Sequence, residues 1–283
     1  MSMARVVVIG SKGGPALRKD GSMPTSLLVE MGGQQIVVDC GLGVTAGTVR
    51  AGLDLRRLSH VVITHLHSDH VLELGALIHT AWTTGLKTPV DIWGPAGLQQ
   101  YWQGFMASMD YDNTLRVADE GRPPLGELVR LHVLDEGRLD LGTIAAQALR
   151  VSHPPVTDCF ALRLEADGKV LCLSADTAHF PPLADLARGA DVLLHEAMLP
   201  EGVEAIVART GMGDKLRAHL HNSHSTVGQA AAIARAAGAG HLVLYHLVPA
   251  DDPALTSAHW LAALAPHWDG PATLAHDGCE IRF

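Results

Sequence analysis

The feature that most constrains the fold is a cluster of metal-binding side chains directly after a short apolar run. A buried strand is predicted over Val61–Ile63, and the next seven residues read THLHSDH. Alternation along an extended chain places His65 and His67 on one side, and Asp69 and His70 enter the next helix. Imidazole and carboxylate are the usual ligands of Zn²⁺ and its first-row neighbours. Without a cation, several polar groups of such a cluster would be buried without partners. Because the four side chains form two pairs, the sequence predicts two ions here, one on each pair.

Two ions need more ligands than this loop offers, and three later side chains stand where predicted strands end. His153 follows one apolar run, Asp176 follows another within Ser-Ala-Asp-Thr, and His246 ends a third. Loops at strand ends can converge on one edge of a sheet, so these residues are candidates for the remaining ligands. Judged by position alone, each of them could also be a helix cap or an ordinary loop residue. A single His means little here, because seventeen of the 283 residues are His.

The composition is that of a globular protein with a full core. Of all residues, 47% are hydrophobic and 18% are charged, and the N-terminus lacks the length and cleavage site of a signal peptide. No apolar run reaches transmembrane length, so no membrane contact is expected. The net charge of −9, without a Lys/Arg run, argues against nucleic acid and favours a small-molecule substrate. Four widely spaced cysteines predict free thiols and a cytoplasmic location: Cys40, Cys159, Cys172 and Cys279.

The order of apolar runs predicts two β-rich halves with helices outside them. This pattern is typical of a four-layer α/β sandwich, expected here as a single domain over residues 1–283. Helices are predicted over 95–109, 226–237 and 256–264, between and after the short strands. The stretch 110–126 contains two glycines and two prolines and is predicted to be a mobile loop.

Taken together, these motifs resemble the metallo-β-lactamase superfamily of metallohydrolases over nearly the whole chain. The shared order is His-x-His-x-Asp-His, a lone His, an Asp in Ser-x-Asp-Thr, and a last His after a strand. The resemblance implies an αββα four-layer sandwich. Four further strings resemble the ribonuclease Z-like branch, which includes arylsulfatases and cyclic-nucleotide phosphodiesterases: Val38-Asp39-Cys40-Gly41, Gly94-Pro95, His195-Glu196-Ala197 and His224-Ser225-Thr226.

The resemblance also implies a ligand set for two metal ions. One ion would be held by His65, His67 and His153. The other would be held by Asp69, His70 and His246, with Asp176 bridging both. The di-iron flavoprotein branch usually has Glu where this chain has His67, and the best-known zinc β-lactamases have Cys where it has Asp176. Two Zn²⁺ ions are therefore expected, with Mn²⁺ or Fe²⁺ as alternatives in one or both positions.

Two Zn²⁺ ions would lower the pKa of a bridging water and make hydroxide available for attack on an ester. His224 is the predicted general acid for the leaving group, with Glu196 holding its imidazole. Position alone also allows His224 to precede a helix and Glu196 to be a surface strand end. Asp69 is expected to serve the reaction as well as the metal, and Asp39 to orient a ligand from behind.

The predicted activity is hydrolysis of a small ester, a phosphodiester above all. Sulfate esters, carboxylic esters and lactones are alternatives on the same site, and an RNA endonuclease or a non-catalytic metal-binding protein are alternatives of other classes. True ribonuclease Z has a long arm and a Ser-x-Arg-Tyr string that this chain lacks. Asp251 and Asp252 follow the last metal His instead and are expected to repel a phosphate backbone. A homodimer remains open, because relatives in this branch are often dimers.

Four other histidines have no firm assignment. His219 and His221 are expected in a solvated loop, and His79 is expected to pack on the helix that carries His70. For His179, contact with substrate is left open. Core packing is the default prediction for the large apolar residues that could otherwise line a pocket: Trp82, Trp93, Trp102, Phe105, Met106 and Met109.

Overall fold

The computed structural model describes residues 4–283 as two mixed seven-stranded sheets packed face to face. The first sheet has the order β14-β1-β2-β3-β4-β5-β6, and the second has the order β13-β12-β11-β10-β9-β8-β7. The strands are β1 Arg5–Gly10, β2 Ser26–Met31, β3 Gln34–Val38, β4 His60–Val62, β5 Val90–Gly94, β6 Val129–Val133, β7 Gly137–Leu141, β8 Ile144–Arg150, β9 Phe160–Ala166, β10 Lys169–Leu173, β11 Val192–Met198, β12 Leu242–Val248, β13 Ala272–Leu274 and β14 Cys279–Arg282.

Helices cover the outer face of each sheet and complete the four predicted layers. They are α1 Val44–Arg50, α2 Ser68–Val71, α3 Leu74–Thr84, α4 Leu98–Ser108, α5 Asp110–Glu120, α6 Leu183–Leu186, α7 Val203–Thr210, α8 Gly213–Ser223, α9 Val227–Ala237 and α10 Ser257–Leu264. One apolar core lies between the sheets, a second joins the first sheet to α1, α3 and α4, and a third joins the second sheet to α6, α9 and α10. Each sheet is therefore buried on both faces, as the uninterrupted apolar runs indicate.

The prediction of a mobile loop over 110–126 is wrong, because most of this stretch is α5. Acidic residues occupy its first turn, where they favour the helix dipole. Arg116 pairs with both Asp112 and Glu120, one turn away on either side, at 2.8 Å each. The glycines and prolines lie after Glu120 and end the helix rather than prevent it, with Gly121 in the left-handed conformation at its C-terminus.

The topology brings strand ends from both sheets to one edge of the sandwich. Strands β3, β4 and β5 run parallel in the first sheet, and β10, β11 and β12 run parallel in the second. The carboxyl ends of parallel strands open at the same side, so their loops meet. All four cysteines are buried and free, as predicted. Among residues 4–283, no helix is long and apolar enough to cross a membrane.

Candidate metal centre

Three imidazoles and a carboxylate form the first cluster at this edge. One ligand atom from each of His65, His67, His153 and Asp176 lies within 4.8 Å of the others. His67 Nδ1 and His153 Nε2 are 3.2 Å apart. Oδ2 of Asp176 lies 3.8 Å from Nε2 of both His65 and His153. Two nitrogens bound to one Zn²⁺ at about 2.1 Å stand roughly 3.4 Å apart, so this spacing suits a single ion.

The second cluster shares Asp176 with the first. Its other members are Asp69 and His70 in α2 and His246 in β12. His70 Nε2 is 3.4 Å from Asp176 Oδ1 and 3.6 Å from Asp69 Oδ2. His246 Nε2 is 3.0 Å from Asp176 Oδ2 and 3.5 Å from Asp69 Oδ2. Because Asp176 takes part in both clusters, its carboxylate could bridge two ions.

Asp39, at the end of β3, orients two of these imidazoles from behind. Its Oδ2 accepts a hydrogen bond from His70 Nδ1 at 2.8 Å and another from the Thr64 hydroxyl at 2.9 Å. Because that hydroxyl donates its single hydrogen to Asp39, it accepts from His65 Nδ1, which lies 3.2 Å away. Both rings therefore keep Nε2 for the centre. These contacts are those that the role predicted for Asp39, orienting a ligand from behind, requires.

Backbone groups orient two further members. His153 Nδ1 donates to the carbonyl of Ser223 at 2.9 Å, which again leaves Nε2 for the centre. The backbone N–H of Gly14 donates to Asp69 Oδ2 at 2.7 Å. Gly13 lies against the ring of His246, since a Cβ there would stand 2.7 Å from Cε1 of that ring. The loop after β1 thus approaches the centre closely only because it lacks side chains at this point.

The donor set fits metal ions, because several of its inward-facing atoms have no partner in the protein. His65 Nε2, His70 Nε2, His246 Nε2 and Asp176 Oδ1 are buried and lack a hydrogen bond within residues 4–283. A group of orphaned polar atoms at one point is unfavourable unless a cation satisfies them. Imidazole nitrogens and carboxylate oxygens in this number suit a pair of divalent ions.

Burial and neighbouring charges shift the pKa values of the candidate ligands in different directions. Burial lowers the pKa of His65 and His153, which favours the neutral form that binds metal. Burial also opposes protonation of His246, but the Asp176 carboxylate raises its pKa to about 10. The charges of His246 and His70 in turn hold the pKa of Asp176 well below its usual range, although burial alone would raise it. Protons on His246 and His70 thus offset the negative charge of the buried Asp176 carboxylate, and a metal cation can replace these protons.

His246 reaches the centre through a β-bulge. The register between β11 and β12 shifts between Tyr245 and Leu247, which leaves His246 as the extra residue. The prediction that His246 ends its strand is therefore wrong, because β12 continues to Val248. Positive φ angles, uncommon for residues with side chains, occur beside the centre at 60°, 53° and 44° for Asp39, Ala175 and His246.

Glu196 and His224 form a buried pair beside the second cluster. His224 Nδ1 lies 3.1 Å from both carboxylate oxygens of Glu196, and the Thr177 backbone N–H donates to the same carboxylate at 2.7 Å. Burial opposes protonation of His224, but the charge of Glu196 raises its pKa above the usual range. Glu196 is fully buried, which excludes the surface strand end considered above. His224 also precedes the helix, since α9 follows directly after its Thr226 cap.

A cavity of about 350 Å³ opens onto the centre. Members of both clusters and His224 line one side. The loop after β1 lines another. An apolar wall, which the sequence analysis missed, comes from α7, α8 and the end of β12: Ile206, Leu216, Leu220, Val248 and Pro249. The aromatic and methionine residues considered as wall candidates do not line this cavity, and Trp82 and Trp102 are buried in the core, as predicted by default.

Sequence comparison agrees with this geometry. The family described as "Beta-lactamase superfamily domain" matches residues 34–247. The chain belongs to the metallo-β-lactamase superfamily. The protein named ribonuclease Z in Mycobacterium bovis (strain BCG / Pasteur 1173P2) is 32% identical over 279 residues, covering 97% of this chain and 96% of that protein. Ribonuclease Z of Mycobacterium marinum (strain ATCC BAA-535 / M) is 32% identical over 282 residues and covers 97% of each chain. This superfamily member therefore lies in the ribonuclease Z-like branch.

Solved structures share the metallo-β-lactamase fold. The metallo-beta-lactamase fold protein YhfI from Bacillus subtilis superposes with a TM-score of 0.74 at 21% identity, covering 100% of both chains. The short form of human tRNase Z gives a TM-score of 0.68 at 22% identity, covering 98% of both chains. The predicted αββα sandwich is thus confirmed. With this family and its His/Asp clusters, the chain is a metal-dependent hydrolase acting on ester bonds.

The remaining histidines of this metallo-β-lactamase superfamily hydrolase differ in position. His219 and His221 lie on α8, not in a loop, and His219 lines the cavity whereas His221 is exposed. His79 lies on α3 rather than on the helix of His70, and packs against Trp82 while its Nε2 contacts Asp112 at 3.1 Å. His179 is exposed and does not line the cavity.

The acidic residues after His246 do not present free charge at the cavity. Asp251 contacts Lys12 at 3.2 Å and Arg18 at 2.8 Å, and Asp252 contacts Arg209 at 2.9 Å. The expectation that they repel a phosphate backbone is therefore wrong in its physical basis. Their charge is offset by neighbouring cations, which the sequence places far away along the chain.

Proposed function

We propose that this hydrolase cleaves a small phosphodiester with two Zn²⁺ ions. The observation that carries the proposal is the pair of clusters joined by Asp176, faced by a buried His–Glu pair and a cavity of about 350 Å³. In this proposal His65, His67 and His153 would hold one ion, Asp69, His70 and His246 would hold the other, and Asp176 would belong to both sets. The chemistry that such an ion pair supplies is a lower pKa for water and compensation of negative charge on ester oxygens.

The residues of the chain supply orientation and a proton. Asp39, Ser223 and Gly14 fix the ligand groups before substrate arrives, so little rearrangement is needed. His224 keeps a proton because of Glu196, and its Nδ1 is engaged, so Nε2 is the nitrogen available to the leaving-group oxygen. Alcohols with a high pKa leave poorly without protonation, which favours phosphodiesters and alkyl sulfates over activated esters.

The cavity supports a small substrate. Its wall from α7, α8 and the end of β12 is largely apolar, and the three cations that line it each contact a carboxylate. A polyanion is held by several cations that are free to meet its phosphates. A single phosphodiester group with an apolar substituent meets this cavity better than a long phosphate backbone does.

The second candidate is an RNA endonuclease. It is favoured by the ribonuclease Z relatives, whose similarity extends over 97% of this chain. The pairing of Asp251 and Asp252 with cations also removes the strongest electrostatic objection to a phosphate backbone.

Turnover of four substrates tests both candidates. The zinc-loaded chain is assayed on bis(p-nitrophenyl) phosphate, p-nitrophenyl sulfate, p-nitrophenyl acetate and an RNA with a 3′ extension, before and after removal of metal by a chelator. We expect preferential turnover of the phosphodiester, lost on chelation and in Asp176→Ala, and retained in the exposed α5 variant Asp119→Ala. Specific cleavage of the RNA at lower enzyme concentration would favour the endonuclease. Turnover of the sulfate or acetate alone would exclude both.

A further inference from the structure

One histidine faces the cavity without belonging to either metal cluster. His219 lies on α8, half-buried, and lines the cavity together with His67 and His224. Its ring centre is 6.3 Å from that of His67 and 5.9 Å from that of His224. It is absent from the groups whose ligand atoms converge. A substrate held at the centre would therefore meet this ring directly.

A hydrogen-bond relay fixes which nitrogen of His219 carries the hydrogen. The Ser223 hydroxyl donates to the carbonyl of Pro154 and lies 3.2 Å from His219 Nδ1. A hydroxyl has one hydrogen, so the bond between Ser223 and the ring requires Nδ1 to donate. In the neutral ring Nε2 is then a hydrogen-bond acceptor, and it is the nitrogen left for a ligand.

We propose that Nε2 of His219 accepts a hydrogen bond from a hydroxyl group beside the scissile ester, which makes His219 a specificity residue. The inference rests on the proposed phosphodiesterase function and names its substrate class, a diester with a hydroxyl on the alcohol part. The apolar wall, in part from the same helix α8, accommodates the rest of that substituent. An ester without the hydroxyl does not make this hydrogen bond and is bound less well in the transition state.

Matched pairs of substrates test this assignment. The first pair probes a ribose hydroxyl and compares a ribodinucleoside monophosphate with its 2′-deoxy counterpart. The second pair probes a glycerol hydroxyl and compares the glycerol ester of p-nitrophenyl phosphate with its propyl ester. Bis(p-nitrophenyl) phosphate has no hydroxyl, so its turnover measures phosphodiester hydrolysis without the proposed hydrogen bond. The variants are His219→Asn, whose amide can replace Nδ1 but not Nε2, and His219→Gln, whose amide oxygen can reach the Nε2 position. His221→Asn is the matched control, since this residue lies on the same helix and is exposed.

We expect the wild type to prefer the hydroxylated member of at least one pair by about tenfold in kcat/KM. His219→Asn should reduce that preference at least about fivefold and His219→Gln should restore part of it, and bis(p-nitrophenyl) phosphate measures any general loss of turnover that is common to all substrates. The pair that shows the preference identifies ribose or glycerol as the source of the hydroxyl. His221→Asn should behave as wild type.

Three results would overturn the inference while leaving the proposed function intact. These are no hydroxyl preference in the wild type, an unchanged preference in His219→Asn, or an equal loss on all substrates in both His219 variants. A wild type inactive on every diester would instead contradict the proposed function. The tautomer is then tested directly in the ¹⁵N-labelled full chain, where a hydrogen on Nε2 of His219, assigned by its loss in His219→Gln, would refute the assignment.

Discussion

At the residue scale, several of the proposed ligands are held by hydrogen bonds on the side that faces away from the centre. Asp39 and the Ser223 carbonyl engage Nδ1 of His70 and His153, and the Gly14 amide engages Asp69. Each contact fixes a ring or carboxylate before any ion binds, which lowers the entropy that binding must overcome. The residues that fix the ligands should therefore matter nearly as much as the ligands.

Asp39→Asn should weaken metal binding by about 10- to 100-fold. The Oδ2 of Asp39 accepts from His70 Nδ1 and from the Thr64 hydroxyl, and an amide nitrogen placed there would face two donors. The His70 ring would then turn or change tautomer. Competition with a chromogenic zinc chelator measures the affinity, with Asp119→Asn on the surface of α5 as control. Equal affinity in wild type and Asp39→Asn would contradict the orienting role.

His224→Asn should slow alkyl phosphodiesters far more than aryl ones. The asparagine amide can still bond to Glu196 but carries no transferable proton. General acid catalysis is worth about 10²–10⁴-fold for a poor leaving group, whereas p-nitrophenolate needs little protonation and should slow by about tenfold or less. A series of alkyl and aryl leaving groups measures this as a steeper dependence of kcat on leaving-group pKa. Equal slowing across the series would remove His224 from the role of acid.

At the element scale, the close packing of α3 against α4 depends on a glycine. A Cβ on Gly75 would stand 2.2 Å from Cδ2 of Phe105, whose ring stacks on Trp102 with centres 5.6 Å apart. We expect Gly75→Ala to lower the free energy of unfolding by about 1–3 kcal/mol, because the stacked pair must shift. Urea denaturation followed by circular dichroism measures this change.

Gly104 provides the matched control on α4. A Cβ there would meet no atom within 4 Å, and the residue is exposed inside the helix. Gly104→Ala should therefore raise the free energy of unfolding by about 0.5–1 kcal/mol through helix propensity alone. Destabilisation of similar size at both positions would mean that the contact with Phe105 is not the cause.

The elements that sequence predicts well are those whose pattern is local. Apolar strand runs and the ligands at their ends are visible because burial and loop position repeat over a few residues. The α5 helix was not predicted, because Gly121 and the prolines after it are typical of a loop, whereas the helical spacing of Arg116 and its paired acids is a weaker pattern. The bulge at His246 depends on pairing with another strand, and the apolar wall from α7 and α8 depends on how these helices dock, so neither has a local signal.

At the scale of the whole molecule, the centre forms only when the two sheets meet. The loops of the first sheet supply His65, His67, Asp69 and His70, while the second sheet supplies His153, Asp176 and His246. Each cluster takes residues from both sheets, and Asp176 belongs to both clusters. The fold therefore holds several buried titratable groups, and its stability must depend on pH.

His195 makes a measurable contribution to the pH dependence of the free energy of unfolding. It is fully buried in β11, with Nδ1 bonded to the Glu196 carbonyl at 2.7 Å and Nε2 without a partner within residues 4–283. Burial lowers its pKa to about 4. Between the ordinary histidine value of about 6.5 and this lower value, the unfolded chain binds a proton that the folded chain does not. As far as His195 is concerned, the free energy of unfolding has its full value above pH ~6.5. It should fall by about 3 kcal/mol as the pH drops to ~4.

His195→Asn should remove this contribution, because the amide can keep the bond to the carbonyl and does not titrate. Urea midpoints of the metal-free wild type and variant are compared from pH 7.5 down to 4.5, with His221→Asn as the exposed control. Losses from other groups are common to all three proteins and cancel in the differences. We expect wild type and His221→Asn to lose stability in parallel, and His195→Asn to lose less, by up to about 1.4 kcal/mol per pH unit below pH ~6. Parallel curves for all three would mean that His195 is protonated in the folded chain, and that its buried position is not what makes the sandwich sensitive to acid.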